Sequence, residues 1–98
     1  MTDAAKQDKS LAVDLKERID RRCDRFEAEW KAGERPKIES YIARARGRPR
    51  MELLRELLAI EIEYRTRLGE QPSTEEYDLR FPGDVAVIRE AFEPAFPR

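Results

Sequence analysis

Apolar residues in the first third of the chain recur at four- and three-residue steps: Leu11, Leu15, Ile19, Cys23, Phe26 and Trp30. At about 100° per residue they fall within one arc about 120° wide, the stripe of an amphipathic helix. Ser10 stands where an N-cap belongs and Gly33 where a C′ residue with positive φ is needed. The spacing therefore predicts a helix from Ser10 to about Ala32. Residues 1–9 carry no periodicity and read as a disordered tail. Pro36 then opens a short helix carrying Ile38, Tyr41 and Ile42.

Residues 45–49 form a connector interrupted by Gly47 and Pro49. A third helix follows over about Arg50 to Leu68, with Met51, Leu53, Leu54, Leu57, Leu58, Ile60, Ile62, Tyr64 and Leu68 as its apolar set. On a helical wheel these positions span about 200°, so the helix must be covered on more than one side and is the central element. Ser73 and Glu76 have the spacing of a capping box for a fourth, short helix reaching Arg80. Phe81-Pro82-Gly83 breaks that helix, and Asp84 can cap a fifth that runs through about Phe92. Pro94 and Pro97 end regular structure, leaving residues 94–98 as a tail.

Two of these junctions are near copies. Gly33-Glu34-Arg35-Pro36-Lys37-Ile38-Glu39-Ser40-Tyr41, followed by Arg44, returns thirty-six residues later as Gly69-Glu70-Gln71-Pro72-Ser73-Thr74-Glu75-Glu76-Tyr77, followed by Arg80. The pattern G-E-x-P-x-x-E-x-Y-x-x-R agrees at six of twelve positions, where typical residue frequencies give roughly one. Each copy ends a long amphipathic segment and opens a short one, so the repeated object is a helix–turn–helix unit. The expected fold is an all-α, compact bundle of two such repeats, about 10–45 and 50–81, plus a short C-terminal helix, in a single domain over 10–93. Repeated helical hairpins build surfaces for partners more often than catalytic pockets.

Composition narrows the chemistry. Charged residues make up 42% of the chain, but 20 Lys and Arg nearly cancel 21 Asp and Glu, giving a net charge of −1. Interleaved charge of this kind creates no single basic field, which argues against nonspecific nucleic-acid binding. There is no His and one Cys, so the most frequent general base and the Cys/His zinc sites are both missing. No glycine-rich phosphate loop is present. The expectation is therefore a chain that is not an enzyme, with no catalytic, cofactor-binding or metal-binding residues and no cofactor. The single Cys23 points to a reducing cytoplasm, and no apolar run approaches a membrane span. The N-terminus has no signal-peptide core.

Several residues invite a role beyond packing. Tyr41 and Tyr77 hold equivalent places in the repeats, each either packed on the preceding long helix or exposed as an anchor for a partner. Arg44 and Arg80 follow them at equal spacing. Glu61 and Arg65 both fall inside the apolar arc of the third helix, one turn apart, and read as a buried ion pair or as members of an internal network in which Arg44, Arg80 or a tyrosine hydroxyl satisfies Glu61. Arg46-Gly47-Arg48-Pro49 resembles the core of an AT-hook, in which Arg46 and Arg48 would lie extended in the minor groove of A/T-rich DNA. A basic interhelical loop is the plainer reading. Cys23 reads as a small core residue, with a regulatory thiol as the alternative.

The run from Cys23 through Phe26, Trp30 and the first turn to Tyr41 resembles a segment found ahead of the catalytic domain in planctomycete serine/threonine protein kinases. The likeness continues through Leu53-Leu54-Arg55-Glu56-Leu57-Leu58, Glu61-Ile62-Glu63-Tyr64-Arg65, the second turn and Arg80-Phe81-Pro82. It covers about Cys23 to Phe92. The resemblance implies a noncatalytic, regulatory N-terminal module whose partner is a protein, a serine/threonine kinase or its substrate. The chain itself has no glycine-rich nucleotide loop, no H-R-D and no D-F-G, and its connector is short and basic. It is either the separated front of a kinase or a stand-alone carrier of the module. The expected function is that of a helical protein-interaction or regulatory module. The alternatives are minor-groove DNA binding through Arg46 and Arg48 and a carboxylate-based enzyme built on Glu61.

Overall fold

In a computed structural model, which describes the backbone of residues 3–93 and the side chains of 13–93, five helices follow one another. They are α1 (Asp3–Lys31), α2 (Ile38–Ile42), α3 (Gly47–Arg67), α4 (Thr74–Arg80) and α5 (Val85–Phe92). The chain is an all-α bundle, with no strand among the described residues.

The α1 stripe is buried as its spacing requires. Ile19, Phe26 and Trp30 lie in the core, with Leu15 and Cys23 half-buried beside them. The helix starts at Asp3, so Ser10 sits within it rather than capping it, and Asp3–Lys9 is helical rather than a disordered tail. Ala4, Ala5, Lys6 and Gln7 are strong helix formers and extend the helix backwards. Met1, Thr2 and the 94–98 tail lie outside the described residues, as does the Leu11 side chain.

The wide apolar arc of α3 is covered on several sides. Leu53, Leu54, Leu57, Leu58 and Tyr64 are buried, with α1, α2 and α5 all packed on this helix. Met51 and Leu68, at its two ends, are exposed instead. α3 also begins earlier than the sequence suggests, because Gly47, Arg48 and Pro49 form its first turn. Gly47 takes φ 62° to enter it. Proline is tolerated in a first helical turn, where its missing N–H has no acceptor to satisfy.

Both repeated junctions close in the same way. Gly33 has φ 89° and Gly69 φ 91°. Gly33 N–H donates to the Trp30 carbonyl at 3.0 Å and Glu34 N–H to Glu29 at 2.9 Å; Gly69 donates to Thr66 at 3.0 Å and Glu70 to Arg65 at 2.9 Å. Each is a Schellman cap, which satisfies the last carbonyls of a long helix and turns the chain. After the turn the two differ. The Ser73 hydroxyl accepts the Glu76 N–H at 3.2 Å and caps α4, whereas α2 starts after Lys37 with no side-chain cap and two residues later than Pro36. Only one half of the expected capping box forms, because the Glu76 carboxylate is taken by Arg65.

The packing order shows how the repeats stack. α1 packs on α3 and α3 on α5, while α2 packs on α3 and α4 on α5. Each short helix of a repeat therefore rests on the helix that follows it, and α5 stands to repeat 2 as α3 stands to repeat 1. Asp84, expected to cap α5, makes no side-chain cap bond there. Its carboxylate instead takes both guanidinium nitrogens of Arg50, at 2.9 and 3.1 Å, tying the start of α5 to the start of α3.

Candidate functional site

The second repeat carries a charged network inside the bundle. Glu61 on α3 is 4% exposed, and its Oε2 accepts the Tyr77 hydroxyl at 2.6 Å and Arg80 at 2.8 Å. Arg80 also pairs bidentately with Glu39 of α2, at 2.8 and 2.9 Å. Arg65 reaches Glu70 at 2.6 Å and Glu76 at 2.6 and 3.2 Å, and donates to the Tyr77 hydroxyl at 3.0 Å. Glu70 in turn holds Arg35, from the first turn, at 2.9 and 3.1 Å. The chain of bonds runs Arg35–Glu70–Arg65–Tyr77–Glu61–Arg80–Glu39, so it starts and ends in repeat 1 and clamps the two repeats together.

Of the two expectations for Glu61, the direct pair with Arg65 does not form, and the network through Arg80 and a tyrosine hydroxyl does. Both residues are in the network, but the Tyr77 hydroxyl stands between them and Arg80 is the arginine that Glu61 holds. One turn of helix brings the two side chains to the same face, yet Arg65 finds two carboxylates closer to the surface. Tyr77 is fully buried, so it is a packed linker and not an exposed anchor. The Arg65 and Arg80 guanidinium groups lie 5.8 and 5.0 Å from its ring centroid.

These contacts shift the ionising groups as expected. Hydrogen bonding to Glu76 raises the Arg65 pKa and bonding to Glu39 raises that of Arg80, so both stay protonated. Arg80 holds Glu39 below the ordinary carboxylate value, and Arg35 followed by Arg65 does the same for Glu70. Burial, then Glu61, raises the Tyr77 phenol. The network lines a groove of about 640 Å³ between the repeats, with Trp30 and Glu39 on one wall and Glu61, Arg65 and Arg80 on the other.

Repeat 1 has the same parts in another state. The Tyr41 hydroxyl donates to Glu29 at 2.8 Å, and its ring meets Phe26 edge-on at 5.1 Å. Burial, then Glu29, pushes the phenol up to about 12. Arg25 lies 3.8 Å from Glu29 with its side chain 77% exposed. Arg22 donates to the Tyr41 carbonyl at 3.0 Å. Arg44 is exposed and has no carboxylate partner among the described residues. A groove of about 520 Å³ lies between α1 and α2, lined by Arg22, Arg25, Glu29, Lys37, Tyr41 and Arg44 among others.

The remaining candidates fall elsewhere. Arg46 is the exposed N-cap residue of α3, and Arg48 pairs with Glu52 one turn on, at 3.1 Å. With Gly47–Pro49 coiled into a helix, the run lacks the extended backbone of an AT-hook. Cys23 is half-buried, and burial, with Glu56 next, pushes its thiol up to about 12, which opposes a reactive thiolate. Among the described residues no cluster of His, Cys, Asp or Glu could hold a metal ion. No described helix is long and apolar enough to cross a membrane. Sequence reasoning missed Glu39, Glu70, Glu76 and Arg35 as members of the network. Glu39 and Glu70 belong to the repeated motif, so the signal was present, but the same motif also contains the exposed Glu34 and Glu75. Comparison of the chain with family models, curated proteins and solved structures finds no match.

Proposed function

We propose that this chain is a noncatalytic helical module that binds a protein partner through the groove between α1 and α2. One observation carries the reading. The charged side chains of repeat 2 that line its groove, Glu61, Arg65, Glu76 and Arg80, are bonded to repeat 1 or to each other, whereas Arg25, Lys37 and Arg44 of repeat 1 face solvent around an open groove. The resemblance of the Cys23–Phe92 run to the segment ahead of bacterial serine/threonine kinase domains supports a regulatory, signalling role. It makes a kinase or its substrate the natural partner, and a lone half-buried thiol suits a reducing cytoplasm. Photo-cross-linking tests the reading. A photoreactive residue at position 40, on α2 at this groove, should capture a discrete protein in source cells, and a residue at position 89 on α5 should not. Equal capture from both positions, or none from position 40, rejects the module.

One observation favours a second reading, acid–base chemistry at Glu61, because this carboxylate reaches the wall of the inter-repeat groove. Glu61→Gln separates the two. It abolishes any hydrolytic activity of the purified chain if Glu61 is a general base, and leaves partner capture unchanged if the module reading holds.

A further inference from the structure

The two grooves described above are repeat-equivalents, and one shows what the other is built to accept. With the turns thirty-six residues apart, Glu61, Arg65, Glu76 and Arg80 correspond to Arg25, Glu29, Ser40 and Arg44. The first four all line the inter-repeat groove and the second four all line the groove of repeat 1. The lining positions are equivalent; the occupant is not. In repeat 2 the far wall comes from repeat 1, and the Glu39 carboxylate, presented by the short helix α2, seats on Arg80 with two bonds of 2.8 and 2.9 Å. Among the described residues no short helix plays that part for repeat 1, and Arg44 stands exposed.

We infer that the groove of repeat 1 receives a carboxylate-bearing helical segment of a protein partner, with Arg44 holding the incoming carboxylate as Arg80 holds Glu39. This rests on the interaction-module reading and names the chemistry of its partner. A charge reversal strengthens the case. Where Arg80 has an internal acid in Glu61, the equivalent position in repeat 1 is Arg25, so Arg44 lacks counterparts of both carboxylates that Arg80 uses. Glu29 is the one acid lining this groove, and the Tyr41 hydroxyl and Arg25 already engage it. Arg22, Arg25, Lys37 and Arg44 thus concentrate positive charge on a chain whose net charge is −1. The basic surface continues into a smaller hollow of about 270 Å³ bounded by Arg18, Arg22, Arg44 and Arg46. A segment with acidic side chains on successive turns could contact both hollows, and such complementarity gives specificity and rate of encounter.

Fluorescence anisotropy on the full chain tests the inference. The probe is a labelled alanine-based helical peptide with a glutamate on each turn; its glutamine counterpart and a short DNA duplex serve as comparisons. At low ionic strength the glutamate peptide should bind at least about tenfold more tightly than the glutamine peptide. Arg44→Ala should remove most of that preference. Arg25→Glu, which restores the internal carboxylate of repeat 2, should weaken binding more than Arg25→Ala, and Arg89→Ala on α5 should leave it unchanged. These side chains are exposed, and circular dichroism of each variant checks that the fold is intact. Equal binding of the two peptides, indifference to Arg44→Ala, or tighter binding of the duplex through the same arginines overturns the inference. A discrete protein cross-linked from position 40 together with equal peptide binding would sink the acidic partner and keep the interaction module.

Discussion

Repeat 1 and repeat 2 turn the chain with the same motif and the same Schellman hydrogen bonds, yet they put their charges to opposite uses. At the four equivalent groove positions repeat 2 has Glu61, Arg65, Glu76 and Arg80, and repeat 1 has Arg25, Glu29, Ser40 and Arg44. Glu61 and Arg65 are 5% and 13% exposed at the side chain, while Arg25 and Glu29 are 77% and 31% exposed. A reversed glutamate–arginine order, without any change in the turn, converts a buried clamp into an open cationic groove. The motif specifies the turn, and the residues around it decide whether the turn locks onto a neighbour or remains available.

The contrast should be largest at its centre. Glu61→Ala leaves the buried Tyr77 hydroxyl without an acceptor and Arg80 with Glu39 alone, and should cost about 3 kcal/mol in urea melts. Arg25→Ala, its counterpart, should stay within about 0.5 kcal/mol, as surface changes do. Similar costs for the two would break the comparison. Next come the tyrosines. Tyr77→Phe leaves a buried carboxylate short of a donor and should cost about 1–3 kcal/mol, whereas Tyr41→Phe, beside the part-exposed Glu29, should cost about 1 kcal/mol or less.

The turns themselves should behave alike. A Cβ at Gly33 or at Gly69 would meet nothing within 4 Å, so only the positive φ opposes Ala. Each substitution should cost about 1 kcal/mol, and unequal losses would show that the two caps are not equivalent. The smallest effect is in acid. Glu39 has its folded-state pKa lowered from 4.5, chiefly by Arg80. Its contribution is therefore complete above the unfolded value and is lost as the pH falls below it through the folded value. Thermal melts across that range should show a shallower acid limb in Arg80→Ala and an unchanged one in Arg44→Ala.

Much of the fold was legible in the residue pattern. The α1 stripe, the central place of α3 and both glycine turns follow from periodicity and backbone sterics, which act over a few residues. The start of α1 was not, because Ser10 looks like a cap whether or not the residues before it are helical. The network was half legible. Glu61 lies in an apolar arc and so announces a buried partner, with Arg80 and a tyrosine hydroxyl among the candidates, but nothing local singles these out from Arg44 and Arg65 or says that Glu39 completes the network.

The sequence by itself determined where the chain is helical, where it turns, and that its second half repeats its first. Those properties depend on hydrophobic spacing, capping chemistry and glycine at positive φ, all of short range. Only the tertiary structure decided which charges meet. Placing α2 and α3 side by side puts Glu39 and Glu61 on one guanidinium, while no carboxylate among the described residues meets Arg44. Pairing at this range depends on how helices stack, and two equal motifs can therefore end in one closed groove and one open groove.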